Sequence, residues 1–303
     1  MEFLRLLESL RTPFLDGAFN LITRLGEETV GVAVLCVVFW CINKRIAYVI
    51  GVAYFLSGLT VQGMKICFRI DRPWVVDTNL KPVPSALANA TGYSFPSGHT
   101  QSATALFGSL GTKIKNKPGR ALCFLLVALV AFSRLYLGVH TPLDVVASLL
   151  ISFLFVLLTV KLFDDDPISK KRILVLAVFM ALYTAATAAL ASALYLNGTI
   201  NQSYISDSFK AVGAGAGFAA GMYVERVYIN FSVKTKNILL QFVKLVLGFA
   251  GVLLIKEGSA LITGTGLVVD TVRYFLIIIW VTVLFPLVIK RFFASRGESG
   301  AKS

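Results

Sequence analysis

Stretches of about 20 apolar residues recur along this 303-residue chain, and they constrain its fold more than any other feature. A helix of that length crosses the hydrocarbon core of a bilayer, which is ~30 Å thick. Only 15% of the residues are charged and 56% are hydrophobic, whereas soluble domains carry about 25% charged residues. The composition therefore excludes an ordinary soluble domain and predicts an integral membrane protein.

We expect an all-α fold, a polytopic membrane helix bundle with about nine transmembrane helices. Apolar residues at helical spacing over residues 2–25 also predict an N-terminal amphipathic helix that lies in the membrane interface. The nine predicted spans are 28–43, 46–66, 97–113, 120–138, 142–163, 172–196, 209–230, 237–256 and 270–291.

The lysine and arginine residues predict which side of the membrane each loop faces. On the nine-span model, 17 of the 29 cations fall on one side, in short loops and the C-terminal tail. Loops rich in these residues stay in the cytoplasm, so we expect a cytoplasmic C-terminus and an extracytoplasmic N-terminus. The same alternation accounts for the net charge of +13, so no nucleic-acid partner is expected. We expect a protein of a bacterial plasma membrane.

Three cations, Lys65, Arg69 and Arg72, end the second predicted span at i, i+4, i+7 spacing. If the helix continues through them, all three share one face, and Pro73 then ends it because the residue before proline avoids helical dihedrals. Two interpretations stay open at this point. The cations either bind an anion or extend their charged ends to the membrane interface.

The segment Pro96-Ser97-Gly98-His99 predicts an anion-binding helix start. Pro96 suits the first turn of a helix, where backbone amides have no partner within the helix. Free amides and the positive end of the helix dipole bind anions, and Gly98 would let a phosphate approach the backbone. An ordinary capped helix explains Ser97 and Pro96, but it gives no reason for His99.

The second of the chain's two histidines, His140, follows Arg134 and precedes Asp144 by one helical turn. Thr141 and Asp144 have the spacing of a capping box, so Asp144 can serve simply as a helix cap. A carboxylate in this place can also fix the tautomer of an imidazole and stabilise its charged form. Ionisable residues at the edge of a membrane favour the functional interpretation.

These three segments together resemble the signatures of the type 2 phosphatidic acid phosphatase superfamily. Its patterns K-x6-RP, PSGH and SR-x5-H-x3-D occur without departure at residues 65–73, 96–99 and 133–144. The resemblance covers about residues 28–163. It implies that His140 is a nucleophile that forms a phosphohistidine, that Asp144 orients it, and that His99 is the general acid. The phosphate-binding residues it implies are Lys65, Arg72, Ser97, Gly98 and Arg134.

The resemblance implies a lipid phosphatase that hydrolyses a phosphoric monoester or diphosphate without a cofactor. No metal is expected, because the neighbouring cations would repel one. Undecaprenyl diphosphate is the first substrate to consider, with phosphatidic acid, sphingosine phosphate and a soluble sugar phosphate as alternatives. A non-enzymatic lipid transporter explains the spans and the cations, but it leaves the histidines and the aspartate without a task.

We divide the chain into an interfacial segment (1–27), a phosphatase core with the three motifs (28–163) and a four-span extension (164–303). The extension contains no catalytic signature. Its Gly213, Gly217 and Gly221 form a stripe of small residues that is typical of close helix packing in membranes. The extension either completes the lipid groove, mediates a homodimer, or has a separate function.

Overall fold

The computed structural model describes residues 1–88, 90–164, 168–235, 237–264 and 266–293. All regular elements in these residues are helices, as the sequence predicts, and no strand occurs among them. Where one helical stretch continues directly into the next we count a single helix, which gives 13 helices in the described chain.

The first seven helices are α1 (Glu2–Ser9), α2 (Pro13–Arg24), α3 (Glu28–Val37 and Val38–Ile42), α4 (Lys44–Phe68), α5 (Pro73–Val76), α6 (Pro84–Leu87) and α7 (Gly98–Ala103, Thr104–Gly108 and Ser109–Lys113). The remaining six are α8 (Lys117–Tyr136), α9 (Pro142–Leu162), α10 (Lys170–Leu196), α11 (Gln202–Val224 and Glu225–Ile229), α12 (Ile238–Leu253, Leu254–Gly258 and Ser259–Thr263) and α13 (Leu267–Ile279, Trp280–Leu284, Phe285–Val288 and Ile289–Phe293).

Among the residues that the structure describes, six helical segments are long and apolar enough to cross a membrane, and the count becomes seven if the bent pair α2–α3 forms one span. The expected count of nine is therefore not confirmed. Helices occur at all nine predicted positions, but α3 and α7 are short, and the glycines and charged residues of α11 lower its hydropathy. The six spans are Lys44–Val76, Lys117–Tyr136, Pro142–Leu162, Lys170–Leu196, Ile238–Ile262 and Leu267–Phe293.

The N-terminal segment forms two helices that pack on the rest of the chain. In α1, Leu4 and Leu7 are buried, and Arg5 forms an ion pair with Asp77. In α2, Tyr136 of α8 donates a 3.0 Å hydrogen bond to Asp16. The interfacial position predicted for this segment is not confirmed and stays a prediction.

Helix α4 lies at the centre of the bundle and packs against α7, α9, α10 and α11. Helix α11 in turn packs closely against α13. A β-carbon at Gly213 would lie 2.1 Å from the carbonyl oxygen of Thr271, and one at Gly221 would lie 1.8 Å from Thr282 Oγ1. The predicted role of this glycine stripe in close helix packing is confirmed.

The two ends of α4 carry different groups of polar contacts. At one end, Lys44 forms a 3.0 Å ion pair with Glu225 of α11, and Arg45 donates a hydrogen bond to the carbonyl of Phe163. Lys65 lies at the other end, about 30 Å away at 1.5 Å per helical residue. The two ends of the bundle thus separate the predicted cytoplasmic cations from the phosphate motifs. The C-terminal tail, 294–303, lies outside the described residues.

Candidate active site

The three motifs meet at the Lys65 end of α4, between the start of α7, the end of α8 and the start of α9. Most of their polar side chains are buried. Arg134, His140 and Asp144 are each 1% exposed, and Lys65 and Arg72 are each 7% exposed. The chain therefore buries a dense group of cations beside two histidines.

Asp144 makes the contacts that both interpretations of the sequence require. Its Oδ2 accepts a 2.7 Å hydrogen bond from the backbone N–H of Thr141, while its own N–H donates to Thr141 Oγ1 at 3.3 Å, which completes the capping box. The same Oδ2 lies 3.3 Å from His140 Nδ1. It also accepts a 2.6 Å hydrogen bond from Ser94 Oγ, a residue that none of the three motifs contains.

Arg72 joins the loop that precedes α7 to His140. Its Nη1 lies 2.8 Å from His140 Nε2 and donates to the carbonyl of Val139 at 3.0 Å. Its other nitrogens donate to the carbonyls of Gly92 and Thr91. With Nδ1 facing the Asp144 carboxylate, Nε2 is the ring nitrogen that faces the cations. This arrangement suits a nucleophile at Nε2.

Lys65 and Arg72 meet at the site, but Arg69 does not join them. Helix α4 ends at Phe68, four residues before the predicted end, because Arg69 adopts a left-handed conformation with φ of 50°. Arg69 is exposed, whereas Lys65 donates a hydrogen bond to the carbonyl of Tyr93. The prediction that the helix continues to Pro73 was wrong. The turn at Arg69 redirects the chain so that Arg72 reaches His140.

Helix α7 begins at Gly98 with Ser97 as its N-cap, so Pro96 precedes the helix and does not form its first turn as predicted. Ser97 Oγ accepts from the N–H and from the hydroxyl of Thr100, and its backbone N–H donates to the carbonyl of Asp144 at 3.1 Å. The amides of Gly98 and His99 lie in the first turn, where the helix offers no partner. A β-carbon at Gly98 would meet nothing within 4 Å.

Two residues of the site carry buried nitrogens with no hydrogen-bond partner in the described part of the chain. They are Nε and Nη2 of Arg134 and Nε2 of His99. Leaving a buried charged group unpaired costs several kcal/mol. An anion that accepts from Arg134 would remove this cost, and this favours the anion-binding interpretation of the cations.

The N-terminal segment also contributes to the site, which the motifs did not predict. Arg134 Nη1 donates a 2.7 Å hydrogen bond to Thr23 Oγ1 at the end of α2. Gly26 lies so close to α7 that a β-carbon there would be 2.7 Å from the carbonyl oxygen of His99. Neither Thr23 nor Gly26 carries a sequence signal, because both contacts depend on how α2 packs on α7 and α8.

The extension reaches the site through Asp207 of α11. Asp207 Oδ2 accepts a 2.7 Å hydrogen bond from the hydroxyl of Thr91, and Oδ1 accepts one of 2.9 Å from Lys210. The carbonyl of Thr91 is one of the acceptors of Arg72. Asp207 is thus two hydrogen bonds away from a site cation, although it lies outside every predicted motif.

The pKa of His140 lies well below its ordinary value. Burial is the main cause, and the charges of Arg72 and then Arg134 lower the pKa further because they disfavour the imidazolium. His140, in the loop between α8 and α9, is therefore neutral at physiological pH. A neutral imidazole protonated on Nδ1 carries an electron pair on Nε2, as a nucleophile requires, and in this structure that pair accepts from Arg72 Nη1.

A cavity of about 590 Å³ opens beside these residues. The site lines one end of it with Lys65, Arg72, Gly98, His99 and His140. Within the described residues, no group of three or more His, Cys, Asp and Glu side chains could hold a metal ion.

Fold and site define a membrane-embedded helical protein with a buried cationic pocket that suits phosphoryl groups. Comparison with known families agrees. Residues 46–167 match the PAP2 superfamily, and residues 209–297 match the transmembrane extension of PAP2 superfamily phosphatases. The chain therefore belongs to the PAP2 superfamily, with the superfamily domain followed by this extension. The second match lies within the region 164–303, where the motifs gave no signature.

Curated relatives are lipid phosphatases. The chain is 30% identical over 172 residues to the probable sphingosine-1-phosphate phosphatase of Dictyostelium discoideum. This alignment covers 50% of this chain and 40% of the relative. It is 26% identical over 175 residues to the undecaprenyl-diphosphatase of Sulfolobus acidocaldarius. This alignment covers 56% of this chain and 81% of the relative.

A third relative, the lipid phosphate phosphatase delta of Arabidopsis thaliana, is 38% identical over 96 residues, covering 28% of this chain and 23% of the relative. The chain thus spans less than half the length of the first and third relatives. Among solved structures, LpxE of Aquifex aeolicus matches with a TM-score of 0.47 and 28% identity, covering 53% of this chain and 93% of that one.

Proposed function

We propose that this protein is a phosphatase that hydrolyses a lipid phosphate or diphosphate through a phosphohistidine on His140. The observation that carries the proposal is the geometry of one imidazole. His140 has Asp144 3.3 Å from Nδ1 and Arg72 2.8 Å from Nε2. The unpaired nitrogens of buried Arg134 add a nearby anion-binding group.

In the proposed first step, the electron pair of His140 Nε2 attacks phosphorus and the bond from phosphorus to the leaving oxygen breaks. His99 gives a proton to that oxygen, and Asp144 stabilises the positive charge that develops on His140. In the second step, His99 takes a proton from water as the water oxygen attacks phosphorus, the bond from phosphorus to His140 Nε2 breaks with its electron pair returning to Nε2, and phosphate is released. Lys65, Arg72 and Arg134 balance the charge on the phosphoryl oxygens, together with Ser97 and the Gly98 amide, since phosphoryl transfer depends mainly on positioning and electrostatics.

A lipid substrate is supported by the relatives and by the location of the site at the ends of membrane helices. Undecaprenyl diphosphate remains our first choice among the substrates, because the undecaprenyl-diphosphatase of Sulfolobus acidocaldarius is matched over 81% of its length. Phosphatidic acid, sphingosine phosphate and a soluble sugar phosphate are the alternatives. A lipid transporter without catalysis is less well supported, because it gives His140 and Asp144 no task.

Phosphate release by the purified protein tests the activity and the substrate together. The panel is undecaprenyl diphosphate, phosphatidic acid, sphingosine 1-phosphate and glucose 6-phosphate, each assayed with the wild type and His140→Ala. We expect hydrolysis of a lipid member and none by His140→Ala. Quenching a reaction with ³²P-labelled substrate should leave an acid-labile label on the wild type. Full activity of His140→Ala would exclude the mechanism.

We further propose that the reaction needs no metal, because the surrounding cations oppose metal binding. Activity should therefore survive dialysis against EDTA. Loss of activity that Mg²⁺ restores, but that NaCl of equal ionic strength does not, would contradict this part of the proposal.

We propose that the site faces the extracytoplasmic side, in the plasma membrane of a bacterium. The support is the charge asymmetry of the loops. Two variants test it in a Cys67→Ser background, which removes an exposed native cysteine. Lys81 lies between α5 and α6, Lys115 lies between α7 and α8, and both positions are exposed. An impermeant maleimide added to intact cells should label only Lys81→Cys, and labelling of only Lys115→Cys would reverse the orientation.

A further inference from the structure

The cavity beside the site continues far beyond the phosphate-binding groups. Along α4 its lining runs from Lys65 through Leu59 to Tyr54. The eleven helical steps from Tyr54 to Lys65 correspond to about 16 Å at 1.5 Å per residue. The cavity therefore extends from the phosphate end toward the middle of the helices, and it is within the ~300–1,000 Å³ that ligand pockets occupy.

Beyond the phosphate end, apolar side chains line much of the cavity beside the polar groups of Tyr54, Gln101 and Ser102, and the extension supplies more than half of these apolar side chains. Helices α3 and α4 contribute Val32, Phe55 and Leu59. The extension contributes Ala214 of α11, three residues of α12 and two of α13. The α12 and α13 residues are Phe249, Val252, Leu253, Ile277 and Ile278. Four polar residues of the extension also line the cavity, Asp207, Lys210, Lys256 and Tyr274, and Asp207 lies at the phosphate end with Lys210.

The cavity is closed at its inner end by contacts between α3 and α12. Lys244 donates a 2.8 Å hydrogen bond to the carbonyl of Trp40, and the Trp40 ring lies 5.7 Å from the ring of Phe249. A β-carbon at Gly248 would be 2.4 Å from the Trp40 ring. Toward the site the two helices line the cavity from opposite sides, and Thr29 and Leu253 are exposed there. We call this cavity, between its closed inner end and the phosphate motifs, the wedge.

We infer that this wedge binds one hydrocarbon chain of the lipid substrate, with the chain running inward from the phosphate held by Lys65, Arg72 and His99. The inference rests on the proposed function, because it assigns the chain of the same substrate. The observation that supports the inference is that a single cavity has a cationic end and a more apolar end. An amphiphile with an anionic head is complementary to both ends. The extension is therefore part of the substrate-binding site.

Two substitutions that fill the wedge test the inference from opposite walls. Val252→Trp adds bulk on the extension side and Val32→Trp adds it on the core side, where both residues are partly exposed. Val246→Trp is the matched control, because Val246 lies on α12, does not line the cavity and is 50% exposed. Each variant is assayed with a long-chain lipid phosphate and with chain-free glycerol 3-phosphate.

For both wedge variants we expect the ratio of kcat/KM for the long-chain to the chain-free substrate to fall at least tenfold, which corresponds to about 1.4 kcal/mol. The control should keep the wild-type ratio. Equal losses on both substrates, or an unchanged ratio, would overturn the inference and leave the phosphatase proposal standing. A changed oligomeric state with an unchanged ratio would identify a second copy of the chain as the occupant and would also overturn it.

A binding measurement separates this inference from the proposed activity. A lipid phosphate with a diazirine near the end of its chain is bound to His140→Ala, which is expected to be inactive, and the cross-linked peptides are identified. We expect labelling at 249–253 or 277–278 that excess unlabelled lipid phosphate removes and that Val252→Trp reduces. Competed labelling confined to the outer faces of α8 and α9 would overturn the inference, whether or not the wild type is active.

Discussion

The hydroxyl of Thr91 donates a 2.7 Å hydrogen bond to Asp207, across 116 residues of sequence. This bond connects the superfamily domain to the transmembrane extension at the edge of the site. The carbonyl of the same Thr91 accepts from Arg72, which in turn lies 2.8 Å from His140 Nε2. The extension therefore supports a loop that positions a site cation.

Removing either partner of this bond should weaken the reaction without abolishing it. A hydrogen bond to a charged group contributes ~1.5–3 kcal/mol, so we expect Thr91→Val and Asp207→Ala, which leaves no acceptor for the Thr91 hydroxyl, each to lower kcat/KM about tenfold. Because both remove one interaction, the double variant should lose little more than either single variant. Asp164→Ala, at an exposed aspartate at the far end of the bundle, is the control. Fully additive losses would show that Thr91 and Asp207 do not act through their shared bond.

The two roles of Asp144 can be separated by substitution. In Asp144→Asn an amide oxygen can still accept from the N–H of Thr141, so the helix cap is largely retained. The charge that orients and stabilises His140 is lost, and we expect kcat to fall by about 10²–10⁴ with a small change in Tm. Thr141→Val should show the opposite pattern, with a lower Tm and a smaller loss of kcat. A large fall in Tm for Asp144→Asn would indicate that this residue acts mainly as a cap.

Thr23 should matter because of its bond to Arg134. Thr23→Val leaves a third nitrogen of this buried guanidinium without a partner, which costs about 1–3 kcal/mol. We expect a lower Tm and a kcat/KM reduced about tenfold, since Arg134 can then move away from the phosphate. Thr23→Ser keeps the hydroxyl and should behave like the wild type. Equal effects of the two substitutions would point to packing and not to the hydrogen bond.

The pH dependence of the reaction should reflect the lowered pKa of His140. The neutral imidazole of His140 is the reactive form and its pKa is lowered, so the decrease of kcat/KM on the acid side should occur below the ordinary histidine pKa of about 6.5. Arg72→Gln removes a cation that disfavours the imidazolium, so the pKa of His140 should rise and the acid limb should move to higher pH. Comparing the two proteins on one substrate removes the titration of the substrate itself. Lys81→Gln is the control, and an acid limb that does not move in Arg72→Gln would contradict the prediction.

Much of the site follows from local spacing, and local spacing is visible in the sequence. His140 and Asp144 are four residues apart at a helix start, so their contact needs only the helix that Thr141 and Pro142 begin. The convergence of the three motifs was predictable through their resemblance to a superfamily. The sequence does not indicate where the chain reverses direction, as it does at Arg69, because a single residue in the left-handed conformation leaves no periodic pattern.

The contacts that complete the site are non-local. Ser94 reaches Asp144 across 50 residues and Thr23 reaches Arg134 across 111. Each depends on the angle and depth at which two helices pack, and these are set by the combined fit of many side chains. The number of membrane spans was similarly uncertain, because α3 and α7 are too short, and α11 too polar, for composition alone to assign them.

By itself, the sequence determined the all-helical membrane character of this protein and the identity of its phosphate-binding and catalytic candidates. Both depend on residue type and on spacing over one or two turns. Only the tertiary structure decided that Thr23 binds Arg134, that Gly26 lies against the backbone of His99, that Asp207 supports the Arg72 loop, and that the extension lines the same cavity as the site. These relationships arise from packing between helices that are distant along the chain, and packing has no signature within any single segment.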